Sequence, residues 1–262
     1  MPATEWGWLV TPEELEDWIL QNDDHVLLVN KPALLVCHPS KNGPWSSLAG
    51  ACREYTQSDR SHLVSRLDRE TSGIVLFAKH RLKSRHLQMA LERRKVSKTY
   101  LAILEGELSE ETLVDAPLGP DTQSIVHSKN TVKRDGRRQD AQTRYTPLFS
   151  NGRYTLAKVD PITGRKHQIR AHALHIGHHI VGDKLYGPDE GLFLDFIEDG
   201  WTDKMAQILP LNRHALHAYR MVFELETGTE TYIAPLTADL IEFCEQKLGL
   251  PKDKLDEIIS EL

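Results

Sequence analysis

Residues 65–78 of this 262-residue chain read SRLDRETSGIVLFA. One acid, Asp68, lies here between Arg66 and Arg69, and a turn-forming Thr-Ser-Gly leads into a wholly apolar run. Nearby guanidinium groups keep a carboxylate ionised at neutral pH, which suits a nucleophile or a base that must be anionic. The same pattern is typical of a structural Asp–Arg pair in a loop. The segment alone therefore leaves both interpretations open.

The apolar run predicts a buried strand over Gly73–Lys79, followed by an amphipathic helix over His80–Arg94. Further strands are predicted over His25–Asn30, Ser97–Gly106, Gln142–Leu148, Tyr154–Val159, Ala215–Leu225 and Thr229–Ala234. Helices are predicted over residues 12–21, Trp45–Tyr55, Gly164–Gly177, Ala238–Lys247 and Lys252–Leu262. Because strands follow one another in pairs rather than alternating with helices, we expect an α+β fold with a mixed, mainly antiparallel sheet flanked by helices.

The predicted elements outline one main domain over residues 25–236. Residues 1–24 form an extension with a short helix, and residues 237–262 form closing helices that pack on the domain. The acidic stretch Asp183–Asp203 is the best candidate for a long surface insertion.

Charge is unevenly distributed along the chain. The formal net charge is −6, yet residues 60–100 and residues 129–172 each hold 11 Lys or Arg against 3 Asp or Glu. Two basic segments in an acidic chain fit a single positive face for a polyanion, although solvated helix faces would give the same count. The 40% hydrophobic and 27% charged fractions exclude a disordered chain, and the apolar runs are too short for a membrane span.

The second basic segment contains DPITGRKHQIRAH at residues 160–172. Arg165, Lys166 and Arg170 would cluster near a helix N-terminus and form an anion site, or would simply lie on a solvated basic helix. The histidines His172, His175 and His179 could share a helix face as metal ligands. No acid or cysteine completes that set, so we expect no metal, and packing or RNA contact explains these histidines better.

The cysteines and glycines limit the cofactor and the compartment. Cys37, Cys52 and Cys244 are odd in number and form no CxxC, which indicates reduced thiols in a cytoplasmic protein. The N-terminus lacks a basic-then-apolar signal pattern, which argues against export. No GxGxxG or P-loop pattern is present, so no nucleotide cofactor is expected.

Several stretches together resemble the motifs of one enzyme family. They are residues 29–39 (VNKPALLVCHP), 66–73 (RLDRETSG), 98–102 (KTYLA), 163–172 (TGRKHQIRAH), 182–187 (GDKLYG) and 216–218 (LHA). In this order they resemble the RluA-type pseudouridine synthases, which isomerise uridine in RNA. The resemblance implies the bent mixed sheet of the pseudouridine synthase fold. With only 24 residues before the domain, we expect no N-terminal S4 domain.

The resemblance also implies roles for individual residues. Asp68 would be the catalytic aspartate, Arg66 would enter the RNA stack as the uridine flips out, and Tyr100 would stack on the flipped base. Arg170 would pair with Asp68, Ile169 would pack against the base, and Lys98 would lie on the same strand face as Tyr100. RNA-backbone contacts are expected from Arg69, Arg165, Lys166, Arg137 and Arg138.

The expected partner is structured RNA, ribosomal or transfer RNA, with no membrane, no small-molecule cofactor and a monomeric protein. Ser65 stands where the family usually has histidine, which bears on substrate choice. One alternative is a non-catalytic RNA-binding relative, which Ser65 alone would support. Another is a nucleoside or glycoside hydrolase, which would need a second carboxylate, and Glu70 is the near candidate.

Overall fold

The structure, a computed structural model, describes residues 8–38, 43–57, 62–133 and 135–262. The chain divides into two units by its internal contacts. The first unit comprises the chain up to residue 98 together with residues 217–235, and the second comprises residues 99–216 and 236–262. Pro39, which belongs to the NKP-containing motif, lies outside the described residues.

The first unit contains a sheet with helices on it. Its elements are α1 (Pro12–Trp18), β1 (Ile19–Asn22), β2 (Val26–Lys31), α2 (Leu48–Thr56), β3 (His62–Leu63), β4 (Ser72–Ala78), α3 (Arg81–Glu92), β11 (Leu216–Leu225, from its second residue) and β12 (Gly228–Ile233). Strand β4 pairs antiparallel with β2 and β3 and parallel with β11, and β1–β2 and β11–β12 are antiparallel pairs.

The apolar run after Gly73 forms the centre of this sheet. Residues 72–78 are all buried, because β4 has neighbours on both sides and its two faces are covered. Val75 and Phe77 pack in a core with Leu27, Val29 and residues of α1 and α2. The buried-strand prediction is confirmed, and it places the end of the RLDRETSG motif at the start of the most enclosed strand of the unit.

The second unit contains the remaining strands and helices. They are β5 (Val96–Glu105, from Thr99 onward), β6 (Thr112–Asp115), β7 (Leu118–Pro120), β8 (Asn130–Val132), β9 (Gln142–Ser150), β10 (Tyr154–Pro161), α4 (Gln168–His175), α5 (Gly191–Asp199), α6 (Asp203–Ile208), α7 (Ala238–Phe243) and α8 (Lys252–Ser260). The order β5–β10–β9–β6 is antiparallel throughout, and β7 and β8 form a separate hairpin.

The expected fold class, α+β with a mixed and mainly antiparallel sheet, is confirmed. Within the described ranges, no helix is long and apolar enough to cross a membrane. The domain boundaries expected from the sequence stay predictions.

Several predicted bounds are wrong for identifiable reasons. The first helix ends at Trp18 rather than at residue 21, because Ile19 is extended and pairs with Val29 of β2. The helix expected from Gly164 begins at Gln168, because His167 adopts a left-handed backbone with φ of 58°. Helix α7 ends at Phe243 and a π-helical turn continues through Leu248.

The acidic stretch 183–203 is not a surface insertion along its whole length. Asp183, Leu185 and Tyr186 are at most 1% exposed, and only the part from about Gly187 onward leaves the core to form α5.

Candidate active site

The loop that carries Asp68 lies between β3 and β4 in the first unit and ends in a tight approach to β11. The backbone N–H of Thr71 donates to the carbonyl of Asp68 (3.2 Å), which closes a turn. Gly73 has φ of 107°, and a Cβ there would lie 2.3 Å from the carbonyl oxygen of Ala218. Glycine is therefore required both by the backbone conformation and by the contact with the LHA strand.

A histidine of the LHA motif anchors the same end of the loop. His217 Nε2 lies 3.0 Å from the carbonyl oxygen of Ala234, so this nitrogen carries the proton and donates. In the neutral ring Nδ1 then accepts from the Ser72 hydroxyl at 2.9 Å. Both residues are fully buried, so this chain of hydrogen bonds fixes where the loop that carries Asp68 enters β4.

A buried lysine ties the loop to the NKP-containing motif. Lys31 is fully buried, and its Nζ donates to the carbonyl oxygens of Pro32 (2.7 Å), Leu35 (2.9 Å) and Arg69 (3.1 Å). A buried ammonium group is tolerated when its donors are satisfied in this way. Lys31 thus joins the backbone one residue after Asp68 to the turn that follows β2.

Three further contacts join the loop to residues 34–38. Arg69 Nε donates to the carbonyl oxygen of Leu34 (3.2 Å), and the Cys37 thiol bonds both the N–H and the carbonyl of Leu67 (3.5 Å each). Burial raises the pKa of Cys37, so the thiol stays protonated and is a packing element rather than a nucleophile. Arg69, expected at the RNA backbone, uses part of its guanidinium to hold the protein loop.

Arg66 and Asp68 differ in exposure. Arg66 is exposed and lies 3.1 Å from His38 through Nη1, whereas Asp68 is half-buried. Glu70, the second carboxylate that a hydrolase would require, is only 7% exposed. The loop therefore presents one partly enclosed carboxylate with an exposed cation two residues before it.

In the second unit, Arg170 of α4 forms a buried two-point ion pair that the sequence analysis did not predict. Its Nε and Nη2 donate to the two oxygens of Asp183 at 2.6 and 2.8 Å. Asp183 also accepts from the backbone N–H groups of Leu185 and Tyr186, both at 2.9 Å. Burial alone would raise the pKa of Asp183, but the Arg170 charge and these hydrogen bonds hold it well below the usual range.

Tyr186 covers the other side of this pair. The Arg170 guanidinium lies over its ring, 4.9 Å from the centroid. The Tyr186 hydroxyl accepts from Asn130 N (3.0 Å), donates to Asn130 O (2.9 Å) and lies 3.1 Å from His167 Nδ1. Asp183 and Tyr186 both belong to the GDKLYG motif, which was the available signal, although nothing in the motif alone identifies their partner.

The remaining predicted base-contacting residues lie on β5 and α4. Tyr100 is half-buried and packs on the hydrophobic core of the second unit, and Ile169 is 7% exposed in that core. Lys98 and Tyr100 are two positions apart on β5 and share a strand face. Burial lowers the pKa of Lys98, because a charged ammonium loses hydration there.

The four basic residues predicted to contact RNA backbone in the second unit lie on connected segments. Arg165 Nε donates to Asp140 O (3.0 Å), and Asn130 of β8 donates to Lys166 O (3.0 Å). The segment with Arg137 and Arg138 lies beside β7, because the backbones of Leu118 and Gln139 exchange two N–H···O=C hydrogen bonds. Arg137, Arg138 and Lys166 are exposed, which suits contact with phosphates.

The predicted site residues are thus divided between the two units. Arg66, Asp68, Arg69 and Lys98 belong to the first, and the others belong to the second. The predicted pairing of Arg170 with Asp68, and their meeting with Tyr100 in one cleft, stay predictions.

Of the histidines weighed as metal ligands, His172 makes two hydrogen bonds within the protein. His172 Nε2 donates to Ala116 O (2.8 Å), and Nδ1 accepts from the Thr143 hydroxyl (2.9 Å). Burial lowers the pKa of His172 and favours this neutral form. In the ranges that the structure describes, no group of three or more His, Cys, Asp or Glu side chains could hold a metal ion.

Comparison with known proteins gives a consistent result. A family model for RNA pseudouridylate synthase matches residues 25–175. The Bacillus subtilis protein named "Uncharacterized RNA pseudouridine synthase YhcT" is 34% identical over 244 residues, which span 90% of this chain and 74% of that protein. Ribosomal large subunit pseudouridine synthase D of Nitrosomonas europaea is 35% identical over 243 residues, which span 89% of this chain and 66% of that protein.

A solved structure shows the same fold. Human RNA pseudouridylate synthase domain containing 4 superposes with a TM-score of 0.68 at 23% identity, over 89% of this chain and 94% of that one. The chain spans between 60% and 74% of the length of four curated relatives that it matches.

Proposed function

The chain belongs to the RNA pseudouridylate synthase family, of RluA type, and on that premise we propose that it isomerises specific uridines of structured RNA with Asp68 as the catalytic group. The observation that carries the proposal is the anchoring of the Asp68 loop. Lys31, Cys37 and His217 hold it from different sides, so its backbone is set before substrate arrives. Such preorganisation is what an enzyme needs at its reacting centre.

The reaction exchanges two bonds within one nucleotide. The N1–C1′ bond of uridine breaks, the uracil rotates, and a C5–C1′ bond forms, while the C5 proton is lost and N1 gains one. No oxidant, reductant or energy source is consumed, so the proposal requires no cofactor. The Asp68 carboxylate either attacks C1′ or acts as a base on the ribose. Both routes need this carboxylate in its anionic form.

Base flipping accounts for the other proposed residues. Extruding a stacked base costs a few kcal/mol. The exposed Arg66 guanidinium would fill the vacated space, and Tyr100 would stack on the extruded uracil. Arg170, held by Asp183, is proposed to face Asp68, with Ile169 and Lys98 bordering the base. Arg69, Arg137, Arg138, Arg165 and Lys166 are proposed to bind phosphates.

We propose ribosomal RNA of the large subunit as the first substrate to test, because relatives matched over most of this chain carry that name. Transfer RNA is the second. A cytoplasmic location is supported by the three buried, unbridged cysteines. That the enzyme works as a monomer stays a prediction.

The deciding experiment compares wild type with Asp68→Asn on transcribed ribosomal and transfer RNA fragments, detecting pseudouridine by carbodiimide labelling. We expect product with wild type and none with Asp68→Asn, while RNA binding changes only a few-fold. Product formed by the variant would refute the role of Asp68. Release of free uracil by wild type would indicate a hydrolase, and binding without either product would indicate a non-catalytic relative.

A further inference from the structure

The acidic segment before α5 makes a specific contact with the hairpin loop between β7 and β8. Glu190 Oε2 accepts from Lys129 Nζ (2.7 Å) and from the Ser124 hydroxyl (2.8 Å), and Oε1 accepts from the backbone N–H of Ile125 (3.1 Å). The side chains of Lys129 and Glu190 are 13% and 24% exposed. One carboxylate therefore gathers three donors from a single loop, residues 121–129.

The C-terminal end of the same loop, where β8 begins, is hydrogen-bonded to a residue that contacts Arg170. Asn130, the first residue of β8, exchanges hydrogen bonds with the Tyr186 hydroxyl through both its N–H and its carbonyl. Lys129 Nζ lies 5.5 Å from the centroid of the Tyr186 ring, on which Arg170 also stacks. The loop is thus held at two points, by Glu190 and by Tyr186, and its base lies beside a residue of the proposed site.

The exposed side chains of this loop are of the kinds that contact unpaired nucleobases. Ile125 is 59% exposed although its own N–H is bound to Glu190, and Gln123 and His127 are exposed on either side. Unpaired bases offer apolar faces and hydrogen-bonding edges, and proteins contact them with apolar and aromatic side chains, histidine included. An exposed isoleucine between a glutamine and a histidine provides both kinds of contact.

We propose that Glu190 is a positioning residue that holds loop 121–129 in the conformation that contacts unpaired bases next to the target uridine, through Ile125 and His127. The proposal rests on the proposed function, because it takes RNA as the substrate. The proposal gives the acidic segment before α5 a role in substrate selection. The ordered loop meets RNA without first losing conformational freedom, and its affinity for the correct RNA loop is higher for that reason. The network of Lys129, Ser124 and the Ile125 N–H also lowers the pKa of Glu190, so the clamp is charged at neutral pH.

The test uses the full chain with Glu190→Gln, and Glu198→Gln as the matched control on the exposed side of α5. Amide hydrogen exchange of residues 121–130 is measured first. We expect faster exchange in this segment with Glu190→Gln and no change with the control. Lys129→Gln removes the same ion pair from the other side and should give the same local effect. Unchanged exchange in both variants would refute the clamp.

The second measurement is affinity for stem-loop RNAs in which the bases flanking the uridine are present or replaced by abasic nucleotides. With wild type the abasic RNA should bind about 10-fold more weakly, the factor expected for losing one good base contact. With Glu190→Gln or Ile125→Ala the intact RNA should bind as weakly as the abasic RNA does. A variant that still distinguishes the two RNAs as wild type does would refute the recognition role.

This design separates the two proposals. If no RNA is converted to pseudouridine by wild type, the proposed function fails, but the exchange and affinity measurements still judge the clamp. If conversion occurs and the Glu190→Gln variant shows an unchanged KM and kcat on every RNA, the clamp has no role in selection.

Discussion

Replacing Asp183 by asparagine should strongly destabilise the protein, because it removes the buried carboxylate that the Arg170 guanidinium binds at two points. Asparagine has nearly the same shape as aspartate and could still accept from the N–H groups of Leu185 and Tyr186 through one oxygen. Its amide NH₂ would then face Arg170 Nε. Both groups are donors, so the 2.6 Å hydrogen bond from Arg170 Nε to Asp183 would be lost. Breaking a buried ion pair by removing one partner costs roughly 3–5 kcal/mol. We expect the free energy of unfolding of Asp183→Asn to be lower than that of wild type by about this amount.

The measurement is urea denaturation followed by circular dichroism, with Asp195→Asn as the control. Asp195 also forms an ion pair, with Lys204 at 3.0 Å, but the two side chains are 43% and 71% exposed. Exposed pairs contribute only about 0–1 kcal/mol, so the control should unfold near the wild-type midpoint. A second variant, Arg170→Met with Asp183→Asn, removes both charges but keeps an oxygen for the N–H groups of Leu185 and Tyr186, so it should recover part of the loss. Asp183→Asn within about 1 kcal/mol of wild type would refute the reasoning.

The pH dependence of stability provides an independent check on the same pair. The pKa of Asp183 is lower in the folded protein than in the unfolded chain, so the folded state holds the proton less tightly. The stabilisation is therefore complete well above the ordinary aspartate pKa of about 3.9 and is lost progressively as pH falls below it toward the folded-state pKa. The difference in unfolding free energy between wild type and Asp183→Asn should shrink on acidification below about pH 4. A difference that stays constant down to pH 2 would contradict a charged Asp183.

Four further predictions concern the proposed site. Tyr100→Ala should weaken RNA binding by roughly the 1–3 kcal/mol of a base–aromatic stack, measured by filter binding, while Tyr100→Phe keeps binding; loss of turnover with Phe at unchanged affinity would assign the hydroxyl a chemical role. Charge reversal at Arg137 and Arg138 should flatten the slope of log K against log salt by about 0.7–0.9 for each lost phosphate contact, and an unchanged slope would show that these residues do not face RNA. Lys31→Met should remove the ammonium donor that the carbonyls of Pro32, Leu35 and Arg69 share, lowering both stability and kcat, since an unsatisfied buried acceptor costs about 1–3 kcal/mol; a variant with wild-type kcat would show that the Asp68 loop does not need this anchor. Arg170→Lys should fail to restore wild-type activity or stability, since lysine lacks the planar fork that grips Asp183 at two points, and a fully active variant would refute the requirement for that geometry.

The features readable from the sequence are those carried by contiguous residues. The stretch from Ser72 to Ala78 predicts a buried strand, because seven successive apolar or small residues leave no polar face for solvent. The RLDRETSG motif identifies Asp68 as the candidate catalytic group because the acid, its flanking cations and the following turn are all local. The ordered motifs between residues 29 and 218 then indicate the family, and the family model and relatives confirm it.

The partners of these residues were not readable, because each depends on how distant segments pack. Helical periodicity cannot show that residues 19–22 leave α1 to pair with β2, since the pairing gains hydrogen bonds from outside the window. In the same way, the acidic composition of residues 183–203 predicts a surface segment, yet Asp183 is buried because Arg170 neutralises it.

The sequence by itself determined the class of fold, the family and the candidate catalytic aspartate. Only the tertiary structure decided that Lys31 binds the backbone of the Asp68 loop, that Asp183 and Tyr186 enclose Arg170, and that Glu190 binds the loop of residues 121–129. The physical reason is the same in each case. A sequence does not show whether a charged side chain is solvated, and such a side chain becomes a buried or half-buried anchor only where folding supplies enough donors or acceptors to replace its water.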